Sequence, residues 1–315
     1  MDAILNYIFC RKSIHIESES YYIIKRIGEG AFSYVDLASS DGDYYAIKII
    51  KCFTKTEETN ALKEAEFQKS IRECRNLVPC VGFEKSSCTV YNESSPISNV
   101  YIAMPFFPEG TLHNRLSLMK KQRSHLDLGE VRNIMLGIIN GLEYMLKMSP
   151  SQAHRDVKTH NILLDKNSNA HLMDFGSVSP AKIEIRDSKE ARNWTDFASI
   201  NCTMTYRAPE LFTVLSGNFL TEKTDVWSLG CLFYALNWYE SPYDKIYERG
   251  DSVALAVSSG LNQLPPSINP NWPETYSKII ISMLSLDPQD RPDYPEIVTM
   301  LDKCKINCDR GILQV

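Results

Sequence analysis

The pattern of apolar and polar positions changes texture along this chain. From Tyr21 to Lys51 apolar residues fall in short runs, "YYIIKRIG", "YVDLAS" and "DYYAIKII", separated by the turn signals "GEGAFS" and "SSDGD". Such runs, bounded by Gly, Ser and Asp, predict strands. "SIHIE" (13–17) predicts a short strand before them. From Glu57 to about Arg75 the chain is charged and rich in helix formers, which predicts one helix. "SSCTVYNESSPISNVYIAMPFF" predicts two strands joined by a polar loop containing proline. After "PFFPEGTL" the period becomes helical. Leu126 to Met148 predicts a long helix, and further helices are expected around 224–239, 252–259, 274–286 and 293–304. A sheet-rich first part and a helical second part imply an α+β chain of two lobes that join near residues 105–110. No internal repeat or low-complexity tract interrupts them.

Composition narrows the classes. The chain has 315 residues, 43% hydrophobic and 23% charged, enough to bury a core in two lobes. A net charge of −5 argues against nucleic-acid binding, which needs a basic stripe. Nine scattered cysteines form no C-x-x-C pair, so reduced thiols are expected rather than a disulfide or zinc framework. No run reaches the roughly 18 apolar residues of a membrane span. The apolar opening "MDAILNYIFCRK" lacks the leading positive charge and small-residue cleavage site of a signal peptide.

The chemistry is concentrated in "AHRDVKTHNILL". H-R-D-x-K-x-x-N fixes five residue types, a chance match of about one in a few million per start position. Six other stretches follow in order around it: "GEGAFSYV", "YAIK", "MDFG", "YRAPE", "DVWSLG" and "LDPQDRP". Together they resemble the glycine-rich loop, lysine strand, catalytic loop, metal-binding turn, activation-segment end, large C-lobe helix and closing segment of eukaryotic protein kinases. The resemblance spans about residues 20–305. It implies a two-lobed kinase fold, with an antiparallel N-lobe sheet plus one helix over 20–107 and a mainly α-helical C-lobe over 108–305. Residues 1–19 and 306–315 would be tails.

The resemblance also assigns roles. Asp156 is the expected base or orienting group for the substrate hydroxyl, and Lys158 neutralises the transferring phosphate. Asn161 and Asp174 are the expected ligands of Mg²⁺. Lys48 holds the ATP phosphates and needs an acidic partner on the following helix; Glu64 is chosen from its distance to the helix end, with Glu66 the rival and Glu58 less favoured. Gln68, one turn on, stands where the family usually has an apolar residue. The phosphate loop is Gly28, Glu29, Gly30, Ala31, Phe32 and Ser33, with Ser33 replacing the family's third glycine. Ile27, Val35, Ala46, Met104, Leu163 and Met173 would line the adenine slot, and Phe107 would bond adenine. Glu210 and Arg291 match a buried ion pair, and Asp225 matches the residue that braces the catalytic loop.

Lys158, two residues after the aspartate, and Thr203 before "YRAPE" resemble the serine/threonine type. "PFFPEGTL" and "GDSVALAV" resemble the Numb-associated kinase family, nearest its lipid-anchored branch. That branch implies an ordered activation segment with a further helix after "APE", for which the step from Glu210 to Asp225 leaves room. "KIEIR" alternates like a strand. Arg155 keeps open a segment ordered by phosphorylation at Thr203, Thr205 or an upstream Ser or Thr. Protein substrates and ATP are the expected partners. Two readings compete: a tethered kinase-fold scaffold without turnover, which the intact Lys48, Asp156 and Asp174 oppose, and a small-molecule phosphotransferase, which "YRAPE" opposes. Asp2 excludes N-myristoylation. Cys10, beside Arg11 and Lys12, is a palmitoylation candidate with Met1, Ile4, Leu5, Ile8 and Phe9 as an apolar face. The expected location is therefore cytoplasmic, peripheral on an endomembrane of Golgi or vacuolar type.

Overall fold

The short runs before residue 108 form one antiparallel sheet of six strands. The computed structural model describes residues 12–30, 33–71, 73–88, 95–261 and 263–311, and side chains as far as residue 304. Cys10 and the opening apolar segment lie outside the described residues, as do Ala31 and Phe32. The strands are β1 (Ser13–Ile16), β2 (Glu19–Glu29), β3 (Ser33–Ser40), β4 (Asp43–Cys52), β5 (Gly82–Ser87) and β6 (Ser98–Pro105). Their order is β1-β2-β3-β4-β6-β5. Period-two alternation divides the sheet into two apolar faces. Ile47 and Ile49 of β4 join Ile16, Tyr21, Ala38 and Ala103 in one core; Ile50 and Cys52 join Val100 and Ile102 in the other. The second core is covered by helix α1 (Lys55–Ser70) through Ala61 and Ala65.

α1 begins on a capping box, in which Thr54 accepts from Glu57 N and the Glu57 carboxylate accepts from Thr54 N. It stops at Ser70, about five residues before the end of the helix expected from composition, because Ile71 is extended at φ −75°, ψ 107°. β1 adds a brace at the far end of α1. Glu17, in the β1–β2 turn, accepts from Lys69 Nζ at 3.2 Å, and Lys69 also donates to Val81 O at 2.9 Å.

The chain divides into two compact units, 1–108 and 109–315. The second is helical: α2 (Leu112–Gln122), α3 (Leu128–Lys147), α4 (Ser188–Asn201), α5 (Lys223–Trp238), α6 (Asp244–Glu248), α7 (Val253–Ser258), α8 (Glu274–Met283) and α9 (Tyr294–Gly311). α5 is buried all round from Thr224 to Trp238, the mark of a central core helix. Phe233, Trp238, Trp272 and Tyr276 pack edge-on or tilted against one another beside it, with centroids 5.2–6.1 Å apart. Helices α2, α4 and α6 are absent from the positions expected from the sequence. The strand pairs here are short: β8 (Ile162–Leu164) and β9 (Ala170–Leu172) form a hairpin, while β7 (Gln152–Ala153) pairs with β10 (Ser179–Pro180) and β11 (Ile183–Glu184) with β12 (Phe219–Leu220) across longer connections.

One expectation is corrected here. No α-helix lies between Glu210 and Asp225 before α5; after the 3-10 turn Pro209–Leu211, that stretch holds a glycine turn at Gly217 (φ 84°) and β12. The added helix is α4, which precedes "APE". Asp187 caps it by accepting from Lys189 N and Glu190 N at 2.8 Å, and Ala191 and Ala198 face inward. "KIEIR" contributes only the two-residue strand β11.

Candidate active site

In the N-terminal unit, β4 turns Ala46 and Lys48 to the face that α1 covers. Val35 stands opposite Lys48, and Met104 opposite Ala46, on neighbouring strands. Ala46 and Met104 are buried, Val35 and Phe107 half-buried, and Ile27 is exposed. The inward stripe of α1 is Glu58, Ala61, Glu64, Ala65 and Gln68. Small alanines let the helix approach, and the three polar residues each find a partner. Lys48 Nζ donates to Glu64 Oε1 at 2.6 Å, with side-chain exposures of 16% and 8%. Ser98 Oγ donates to Glu58 Oε2 at 2.6 Å, and Gln68 Nε2 to Val78 O at 3.1 Å. Glu66 is exposed. Gln68, in the position that resemblance makes apolar, therefore satisfies a carbonyl that would otherwise be buried without a donor. Gly28 pairs with Val35, Gly30 N donates to Ser33 O at 2.7 Å, and exposed Glu29 lies 3.9 Å from Arg26.

In the C-terminal unit, "HRDVKTHN" runs from β7 into a 3-10 turn at Thr159–Asn161. Asp225 of α5 fixes its start: His154 N and Arg155 N donate to the Asp225 carboxylate at 2.7 and 2.8 Å. His154 is buried, with Nε2 3.1 Å from Met173 O, a structural contact that joins the loop to the metal-binding turn. Asp156 is 8% exposed and both its oxygens are engaged. Lys158 Nζ donates to Oδ2 at 2.7 Å, Asn161 Nδ2 to Oδ2 at 3.1 Å, and Thr203 N to Oδ1 at 2.9 Å. Lys158 Nζ also donates to Thr203 Oγ1 at 2.7 Å. Asn161 Nδ2 further donates to Asp156 O, so the amide nitrogen is committed and the carbonyl oxygen is left for a cation. Asp174 is held at φ 68°, a strained value for a non-glycine residue. Leu163 and Met173 are half-buried in this unit.

One carboxylate and one amide oxygen suit Mg²⁺, a hard cation that takes few protein ligands and completes its shell with phosphate oxygens and water. Among the described residues no group of three His, Cys, Asp or Glu could hold a metal.

The two threonines expected as phosphorylation sites are built into the structure. Thr203 bridges Lys158 and Asp156, and Thr205 is buried. Arg155, also at positive φ, is 2% exposed, and burial lowers its basicity. Its guanidinium donates to Ser179 Oγ, Thr221 O, Thr224 Oγ1, Pro180 O and Ala181 O. Glu210 and Arg291 form a bidentate pair at 2.7 and 2.8 Å, and Arg291 stacks over Trp227 at 5.1 Å. A cavity of about 590 Å³ against Glu210, Phe219 and Asp287 contains none of the catalytic-loop side chains.

Sequence reasoning missed the Glu58–Ser98 bond, the Glu17 brace and Arg207, whose guanidinium Nη2 donates to Cys202 O at 2.7 Å. Arg207 lies inside the motif "YRAPE", which marks a segment end without disclosing what its arginine touches.

Comparison with protein families matches residues 21–301 to the protein kinase domain. The chain is 37% identical over 294 residues to serine/threonine-protein kinase 16 of Mus musculus, which covers 93% of this chain and 92% of that protein. The Homo sapiens protein of the same name is 36% identical over the same shares. Serine/threonine-protein kinase ppk13 of Schizosaccharomyces pombe is 29% identical over 329 residues, 94% of this chain and 93% of that protein.

Proposed function

The chain belongs to the protein kinase family and is an ATP-dependent protein serine/threonine kinase, and from that premise we propose how its residues divide the work of phosphoryl transfer. Asp156 orients the acceptor hydroxyl and takes its proton. The hydroxyl oxygen bonds to the γ-phosphorus as the bond to the β-phosphate oxygen breaks, and ADP leaves. Lys158 meets the charge on the moving phosphoryl group. Lys48, held by Glu64, binds the phosphates of ATP. Asn161 and Asp174 would hold Mg²⁺, which when bound neutralises phosphate charge. The reading rests above all on the Lys158 ammonium, which joins Asp156 and Thr203 at 2.7 Å each and so makes base, cation and substrate-side segment one unit. Purified protein should label a generic protein substrate and itself from radioactive ATP. Activity no greater than that of Asp156→Asn would defeat the assignment.

We also propose that the kinase works on the cytosolic face of an endomembrane, in trafficking or secretion, and belongs to the Numb-associated branch. Cys10 beside Arg11 and Lys12 supports palmitoylation, with the neighbouring apolar residues as a second membrane signal. "GDSVALAV" supports the branch. No helix among the described residues is long and apolar enough to cross a membrane. Fractionation should find the wild type with membranes and Cys10→Ser in the soluble pool; equal distribution would refute the anchor.

A further inference from the structure

Arg207 is 6% exposed, yet among the described residues its hydrogen bonds go to carbonyls and to no carboxylate. Its guanidinium donates to two carbonyls, Cys202 O at 2.7 Å and Ser199 O at 3.4 Å, and lies 5.0 Å from the Phe212 ring. Its Nε is buried without a hydrogen-bond partner among the described residues. Burial accordingly lowers its basicity. A permanent charge kept inside a protein without an ion partner is costly. Part of that cost is offset by position. Ser199 and Cys202 stand at the C-terminal end of α4, where the helix dipole favours a cation.

The carbonyl that Arg207 grips has a second property. Cys202 C=O and Thr203 N–H belong to one planar peptide group, so fixing one end fixes the other. The N–H end donates to Asp156 Oδ1 at 2.9 Å. A cation on the carbonyl also polarises the group and strengthens its N–H as a donor. Lys158 and Asn161 hold the other carboxylate oxygen, Oδ2. Without the Thr203 N–H the carboxylate would be tethered on one side only and free to rotate.

We propose that Arg207 is a positioning residue for phosphoryl transfer: it locks the Cys202–Thr203 peptide plane with its N–H aimed at Asp156 Oδ1, and so sets the rotation of the carboxylate that receives the acceptor hydroxyl. This rests on the role given to Asp156 above. The effect belongs in kcat, because no atom of ATP or peptide needs to touch Arg207.

The test compares Arg207→Lys, Arg207→Met and Asp187→Ala, with Asp156→Asn as control, measuring kcat, KM for ATP, KM for peptide and melting temperature. Loss of a charge-assisted bond predicts a kcat about ten- to a hundredfold lower for Arg207→Met, with both KM values within about twofold. Arg207→Lys keeps a cationic donor for Cys202 O and should retain at least about a third of wild-type kcat. Asp187→Ala removes the α4 N-cap and should lower the melting temperature while leaving kcat near wild type. Should Arg207→Met not fold, Arg207→Gln replaces it, with kcat below about a third of wild type expected. Equal kcat losses in Lys and Met, a wild-type kcat in Met or Gln, or an equal kcat loss in Asp187→Ala would overturn the proposal. An active Asp156→Asn would instead overturn the site assignment beneath it.

Discussion

Thr203 separates two accounts of how this kinase is kept active. In one, phosphate on the activation segment orders the loop by pairing with Arg155. In the other, the loop is ordered by its own contacts and the Thr203 hydroxyl is part of the machinery. The geometry favours the second, because the donors of Arg155 are already taken by five protein oxygens and Thr203 Oγ1 accepts from Lys158. Thr203→Ala removes one of two acceptors of a largely buried ammonium. A hydrogen bond to a charged group is worth about 1.5–3 kcal/mol, which is a kcat loss of about ten- to a hundredfold. Thr203→Glu should be worse. A second carboxylate about 5 Å from Asp156 costs roughly 3 kcal/mol at an effective dielectric of 20, and it competes for Lys158. Thr203→Ser keeps the hydroxyl and should stay within about threefold of wild type. The assay is steady-state transfer to a peptide, before and after exhaustive phosphatase treatment. If Thr203→Glu outperforms Thr203→Ala, or phosphatase abolishes wild-type activity, the argument for a self-ordered segment is wrong.

Three further outcomes are expected. Glu64→Gln should lower kcat/KM for ATP by about a hundredfold, since it removes the carboxylate charge that Lys48 Nζ meets at 2.6 Å; exposed Glu66→Gln should stay within about twofold, and steady-state kinetics read both. Arg291→Met should destabilise the protein by about 3–5 kcal/mol in denaturant unfolding, because it strands the Glu210 carboxylate, and adding Glu210→Gln should recover part of that. His160 is exposed overall, but its ring stacks on His113 at 3.7 Å, and desolvation, then the charges of His113 and Lys158, push its pKa down to about 4. Because the unfolded chain takes up this proton more readily, the contribution of His160 is complete above about pH 6.5 and is lost as pH falls toward 4. Melting temperature against pH should therefore fall less steeply over that window in His160→Gln, and identical slopes would refute the link.

What could be read from the sequence follows from how far each signal reaches. Catalytic-loop residues are close in sequence, so their types and spacing already define their chemistry; Lys158 and Asn161 reach Asp156 within the loop, while Asp225 and Thr203 hold the loop and the carboxylate from distant positions. Period-two runs gave the strands because each strand buries one apolar face or two. α1 is different. Its inward stripe is Glu58, Ala61, Glu64, Ala65 and Gln68, so no apolar period marks which glutamate points inward. Distance to the helix end is what points to Glu64 in the sequence, and the 2.6 Å contact with Lys48 Nζ bears that choice out. α4 was misplaced for a related reason. The space after Glu210 can hold a helix, but Gly217 and the β11–β12 pairing use it for a turn and strand, whereas Asp187 supplies a cap upstream. Arg155, Thr203 and Arg207 belong to motifs legible in the sequence, yet their bonds cross 5 to 70 positions of chain. Motifs thus name the chemistry, and the long-range bonds decide whether an arginine waits for a phosphate or is already bound. Here each donor of the Arg155 guanidinium is taken by a protein oxygen, which is the arrangement expected of an arginine that does not wait for a phosphate.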